Sequence, residues 1–134
     1  MRGIKFSITL AAVMALGIGQ AVAGGELHIY NWGNYTSPDL IKKFESTYDV
    51  KVTIDDYDSN EDMLAKVKSG ATGYDIVVPG DYMIAIMIKE GLLARTEPNS
   101  MSNFKNVDPK WVDVYWDEGR HYSVPWQWGT TAFT

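Results

Sequence analysis

The sequence has 134 residues, with 12 Lys and Arg against 17 Asp and Glu, a formal net charge of −5 and no cysteine. The acidic balance argues against a nucleic-acid partner, whose phosphates require a basic surface. Without cysteine there are no disulfides, thiolate metal ligands or cysteine nucleophile.

In chain order, Arg2 and Lys5 precede an apolar stretch from Ile8 to Ile18, and Ala21-Val22-Ala23 follows as an A-x-A cleavage site. This order predicts a secretory signal peptide over residues 1–23, cut after Ala23. An uncleaved anchor is the alternative, disfavoured because the apolar stretch is short for a bilayer. Residues 24–134 are then one α/β lobe. They are long enough to bury a core, as they must without disulfides.

Glu26 to Trp32 reads as a first strand. Thr36-Ser37-Pro38-Asp39 carries helix-start chemistry: a hydroxyl N-cap, proline at the first helical position and an acid in the first turn. Leu40, Ile41, Phe44 and Tyr48 give that helix one apolar face. Val50, Val52 and Ile54 alternate with Lys51, Thr53 and Asp55, the period of a half-exposed strand at a sheet edge. Asp58-Ser59-Asn60-Glu61 starts a second helix with Ser59 as cap, Met63, Leu64 and Val67 as buried stripe and Gly70 as stop. Tyr74 to Val78 is a nearly continuous apolar run suited to a central strand. Asp81 is expected to cap a third helix, with Ile84, Met87 and Ile88 inward and Gly91 as stop.

The β-α-β-α-β-α order predicts a parallel sheet, and short right-handed connections favour strand order 2-1-3. Residues Glu97 to Pro109 read as loop with a short turn. Tyr122 to Phe133 reads as a further strand. The chain stops directly after that aromatic run, which reads as the N-terminal fragment of a longer protein.

In this order the first and third strands are neighbours, and both end in polar-aromatic clusters. Asn31-Trp32-Gly33-Asn34-Tyr35 and Pro79-Gly80-Asp81-Tyr82 would share the rim outside the carboxyl ends of the strands, where open α/β sheets bind ligands. Trp32 and Tyr35 read equally well as an aromatic wall for a ligand or as a strand end and a helix staple. An aromatic face attracts an ammonium group by about 0.5–2 kcal/mol. Asn31 and Asn34 bring amides to the rim, although asparagine in turns also serves the backbone. Gly80 permits close approach of a ligand, and Tyr82 would pack over it. For Asp81 a capping role ranks ahead of holding a cation. A helix N-terminus by itself favours anions.

Trp126 and Trp128 alternate and so share one face of the expected strand. They would form a packing ridge between lobes in preference to extending the cleft. His28 and His121 lack metal-ligand spacing. Asp55, Asp56 and Asp58 read as a solvated turn. No serine elbow, phosphate loop or dinucleotide fingerprint occurs, so neither a catalytic set nor a cofactor is expected.

The stretches Tyr30 to Tyr35 (YNWGNY), Asp58 to Glu61 (DSNE), Tyr74 to Tyr82 (YDIVVPGDY), Lys89 to Leu93 (KEGLL), Asn103 to Pro109 (NFKNVDP) and Tyr122 to Ala132 (YSVPWQWGTTA) carry a resemblance. In order and spacing they resemble the periplasmic spermidine/putrescine-binding proteins of ATP-binding-cassette transporters, within the bacterial extracellular solute-binding proteins. The resemblance implies a type II periplasmic-binding-protein-like lobe and a second lobe that this chain lacks. It implies closure on a polyamine, delivery to an inner-membrane permease, a periplasmic location, a monomer and no catalysis. Trp32, Tyr35, Gly80 and Tyr82 match the family's lining positions. Gly33 and Asn34 stand where hydroxyl and acidic residues are common, Gly80 where serine is common and Asp81 where a small residue is common. These departures leave fewer side-chain hydrogen bonds for an amine. The acids that grip the amines come from the second lobe, so the isolated fragment is expected to bind polyamine poorly or not at all. The alternatives are a receptor for an amino acid, sugar or iron complex, a secreted enzyme fragment, or a non-binding structural lobe.

Overall fold

The computed structural model describes residues 24–70 and 73–129. The expected leader, residues 1–23, lies outside them. Strand β1 (Gly25–Trp32) leads through helix α1 (Pro38–Tyr48) to β2 (Val50–Tyr57), then through α2 (Asn60–Lys68) to β3 (Ile76–Val77) and α3 (Asp81–Lys89). The sheet is parallel, in the order β2-β1-β3 that the sequence predicts. Trp32 is in register with Tyr57, and Tyr30 with Val77, so all three strands end at one rim.

Local chemistry explains each element. Pro38 opens α1 after Ser37, whose backbone carbonyl, not its hydroxyl, accepts the first helical N–H groups. Ser59 caps α2 through its side chain, which accepts from the Asp62 N–H at 3.1 Å. Gly91 ends α3 with a φ of 69°, a conformation that glycine adopts without steric cost. β2 alternates half-buried and exposed residues up to Ile54, as a strand at a sheet edge does. Glu45 of α1 accepts the Val52 N–H at 2.8 Å, giving one backbone donor of this strand a side-chain partner.

β3 is shorter than the expected Tyr74–Val78 run. Asp75 and Val78 still donate to the His28 and Tyr30 carbonyls, at 2.8 and 3.1 Å. The His28 N–H, however, is taken by the Asp75 carboxylate at 2.8 Å instead of a backbone carbonyl. Pro79 follows at once and has no N–H to continue the ladder.

The core lies under α2 and α3: Tyr30, Tyr57, Met63, Met83 and Met87, with Trp32, Leu64, Val67, Tyr74, Val77, Leu92 and Leu93 packed against it. Helix α1 buries no residue fully; Leu40, Phe44 and Tyr48 remain 59%, 39% and 64% exposed. After α3 the chain runs through three 3-10 turns, Pro98–Ser100, Phe104–Asn106 and Pro109–Trp111. The buried Asp117 ties the following turn by accepting from the N–H groups of His121, Tyr122 and Ser123 and from the Ser123 hydroxyl.

The strand expected over Tyr122 to Phe133 is not formed across its described part, which has no regular structure from Ser123 to Gly129. Alternation alone does not make a strand; a partner's ladder does. Among the described residues none pairs with this run, and Pro125 lacks a donor. The remainder, 130–134, lies outside the described residues.

Candidate functional site

The rim formed by the ends of β1, β2 and β3 is built from aromatic rings. Trp32 ends β1, and its indole N–H donates to the Val78 carbonyl at 2.8 Å. Tyr57, its register partner at the end of β2, lies 4.6 Å away between ring centroids and donates its hydroxyl to the same carbonyl. A single carbonyl beyond β3 therefore joins all three strand ends. Burial pushes the Tyr57 phenol well above its ordinary pKa of 10.0, and the neighbouring Tyr30, Tyr35 and Tyr82 add to the shift.

Tyr35 stands 6.2 Å from Trp32 between ring centroids and is 40% exposed. Gly33 and Asn34 form the turn between them, closed by the Tyr35 N–H to the Trp32 carbonyl. Asn34 takes a φ of 62°, a left-handed conformation that asparagine tolerates well. Its role in the turn therefore has a backbone origin. Gly33 is not sterically required, since a Cβ there would meet only Asp56 Oδ2 at 3.9 Å. Asn31 departs from the expectation that its amide faces the rim. It is fully buried, donates to the Thr36 hydroxyl at 3.1 Å and accepts the Trp32 N–H at 2.8 Å.

On the other flank, Tyr82 is 46% exposed on the first turn of α3. Gly80, not Asp81, is the N-cap of that helix. Asp81 is its first residue, and its carboxylate accepts the Tyr82 N–H at 2.7 Å. An acid here serves the helix start from one position further along than expected, because glycine already supplies the extended cap backbone.

Asn60, which in the sequence is only part of a helix start, organises this flank. It accepts the Gly80 N–H at 3.0 Å and donates to the Tyr82 hydroxyl at 2.9 Å. Tyr82 in turn donates to Glu61 at 3.0 Å. Tyr57 was also missed, although the parallel register that pairs it with Trp32 was the signal that could have found it. Trp126 and Trp128 do not act as one ridge. The Trp126 indole N–H points at the Tyr35 carbonyl, 3.5 Å away, and brings that ring to the rim. Trp128 instead lies 6.2 Å from the Trp111 ring.

Trp32, half-buried against the core, and Tyr82, exposed, thus stand on neighbouring strand-end segments. Asp56 and Asp58, at the end of β2 and just beyond it, and Asp81, at the start of α3, are exposed. Aromatic rings at a strand-end rim, with carboxylates exposed on adjoining segments, suit a ligand that is aliphatic along its length and cationic at its ends.

A family model described as bacterial extracellular solute-binding protein matches residues 39–134. The spermidine/putrescine-binding periplasmic protein of Salmonella typhimurium is 38% identical over 133 residues, an alignment covering 96% of this chain and 38% of that protein. The putrescine-binding periplasmic protein SpuD of Pseudomonas aeruginosa is 37% identical, with 92% of this chain and 34% of the relative covered. Among solved structures, the spermidine/putrescine ABC transporter substrate-binding protein PotD of Streptococcus pneumoniae superposes with a TM-score of 0.72 at 36% identity. That match covers 76% of this chain and 32% of the other. The TpPotD lipoprotein of Treponema pallidum gives a TM-score of 0.69 at 42% identity, over 75% of this chain and 32% of the other. The chain thus spans about a third of the length of the relatives it matches, and its fold is that of their matching part.

Proposed function

The chain belongs to the family of bacterial extracellular solute-binding proteins, and on that premise we propose that it forms one lobe of a periplasmic receptor that binds polyamines for an ABC permease. In this reading residues 1–23 direct export and 24–134 supply one wall of the cleft. Trp32, Tyr35 and Tyr82 cover the methylene stem of the ligand, and Gly33 and Asn34 shape the turn that sets the first two apart. Gly80 lets the ligand approach the backbone, and Asp81 contributes charge at the mouth. A second lobe closes the cleft and neutralises the ammonium ends, and closure changes the surface that the permease meets. The role is binding, with no bond made or broken.

The observation that carries this reading is the shared rim: Trp32 and Tyr35 follow the end of β1 and Tyr82 follows β3, and the Val78 carbonyl holds the Trp32 indole to the end of β3. A carboxylate ligand fits the same rim less well, because Asp81 already takes the Tyr82 N–H at the start of α3. The test is calorimetric titration of the full-length protein with putrescine, spermidine and glutamate. Binding of the amines and not of glutamate is expected, with Trp32→Ala weakening amine affinity about tenfold as one ring face is lost. Unchanged affinity in that variant would remove Trp32 from the site. A response to glutamate alone would replace the polyamine by an anionic solute.

A further inference from the structure

We propose that Asn60 and Glu61 are positioning residues that lock the Tyr82 ring into the cleft wall, so that its face and not its hydroxyl meets the ligand. The proposal rests on the polyamine-binding reading above and names residues that act on the site without touching the amine. Asn60 is only 8% exposed, and both ends of its amide are used. Nδ2 donates to the Tyr82 hydroxyl at 2.9 Å, and Oδ1 accepts the Gly80 N–H at 3.0 Å. The Tyr82 hydroxyl spends its own proton on Glu61 Oε1 at 3.0 Å. The phenol is thereby held from two sides by the first turn of α2, and little of its hydrogen-bonding capacity is left for a ligand.

Three further facts point the same way. Helix α2 has no need of Asn60 as a cap, since Ser59 already accepts the Asp62 N–H. The Asn60 side chain reaches instead across 20 and 22 positions of sequence to the start of α3. A Cβ at position 80 would lie 3.1 Å from Asn60 Nδ2 and 3.4 Å from the Tyr82 ring, so glycine leaves the room that this clamp occupies. Trp32 shows the same arrangement on the opposite flank, with its N–H spent on Val78. Both flanks then recognise a ligand through ring faces, which favours aliphatic stems and cations over ligands that need hydrogen bonds from this wall.

The test measures putrescine affinity of the full-length protein and of Tyr82→Phe, Asn60→Ala, Asn60→Ala/Tyr82→Phe, Glu61→Ala and Glu61→Gln. Asn60→Ala and Tyr82→Phe both remove the hydrogen bond between the two side chains and are each expected to weaken binding about fivefold, with the double variant no weaker than the weaker of the two. Glu61→Ala should also lose affinity, and Glu61→Gln, which keeps the acceptor without the charge, should restore it. In the ligand-free protein, the ring resonance of Tyr82 in a carbon-13 tyrosine spectrum should move in Asn60→Ala and in Glu61→Ala. Should Asn60→Ala fail to fold, the two Glu61 variants carry the same test. Wild-type affinity in every variant, fully additive losses, or equal losses in Glu61→Gln and Glu61→Ala would each overturn the positioning role. The last outcome would make Glu61 a direct counter-charge. If the wild-type protein binds no polyamine, the proposal falls together with the reading it rests on.

Discussion

Tyr57 shows how one residue joins the core to the rim. Its ring packs between Tyr30 and Trp32, at 4.8 and 4.6 Å between centroids, while its hydroxyl reaches the carbonyl that Trp32 also uses. Burial raises its pKa above the ordinary 10.0 because the phenolate would lose its water. For an acid with a raised folded pKa, the stabilising preference for the neutral form is complete below the unfolded value. It is lost as pH climbs above that value toward the folded one. The expected outcome is a native protein whose stability falls with rising pH above about 10, more steeply than that of Tyr57→Phe. Denaturant melts across alkaline pH measure this, and identical slopes would mean that the phenol is not protected. Asn31 makes a related point about what residue types reveal. Its sequence position was right for a rim amide, but the choice between facing solvent and tying Thr36 depends on a loop path that no local pattern encodes.

At the scale of elements, the three helices differ in what holds them. Helix α2 is closed at its start by Ser59 and rests on the core through the wholly buried Met63. Ser59→Ala should cost about 1 kcal/mol of stability, and Met63→Ala about 2–5 kcal/mol through the cavity left behind. Thermal and denaturant unfolding of the full-length protein checks both, and a loss in Ser59→Ala as large as in Met63→Ala would contradict the assignment. The order and type of the elements from β1 to α3 were legible in the sequence through local punctuation, although β3 is shorter than its apolar run and Gly80, not Asp81, caps α3. Pro38 opens α1, Ser59 opens α2, Gly91 closes α3, and the alternation in β2 marks an edge. Strand order followed from the short crossovers. The segment after Leu93 was less legible. Its turns depend on side-chain ties such as Asp117 to Ser123, and the Trp126-to-Trp128 alternation resembles a strand without having a neighbour to pair with. The candidate site was half legible. The aromatic residues announced themselves, whereas Asn60 and Tyr57 act through contacts 22 and 21 positions away in sequence.

Over the whole molecule, the described residues supply one sheet, one core and one aromatic rim. The relatives that match this chain are far longer, the alignment covering 38% of the Salmonella typhimurium protein. The apolar stripe of α1 stays largely exposed, and Tyr82 is 46% exposed. In the proposed reading such a rim gives the polyamine one wall, and enclosing a flexible dication requires a second. The most direct measurement is a crystal structure of the full-length protein grown with putrescine. Methylene carbons of the diamine should lie within about 4 Å of the rings of both Trp32 and Tyr82. A diamine bound away from these two rings, or contacting neither of them, would contradict the proposal that they form one cleft wall.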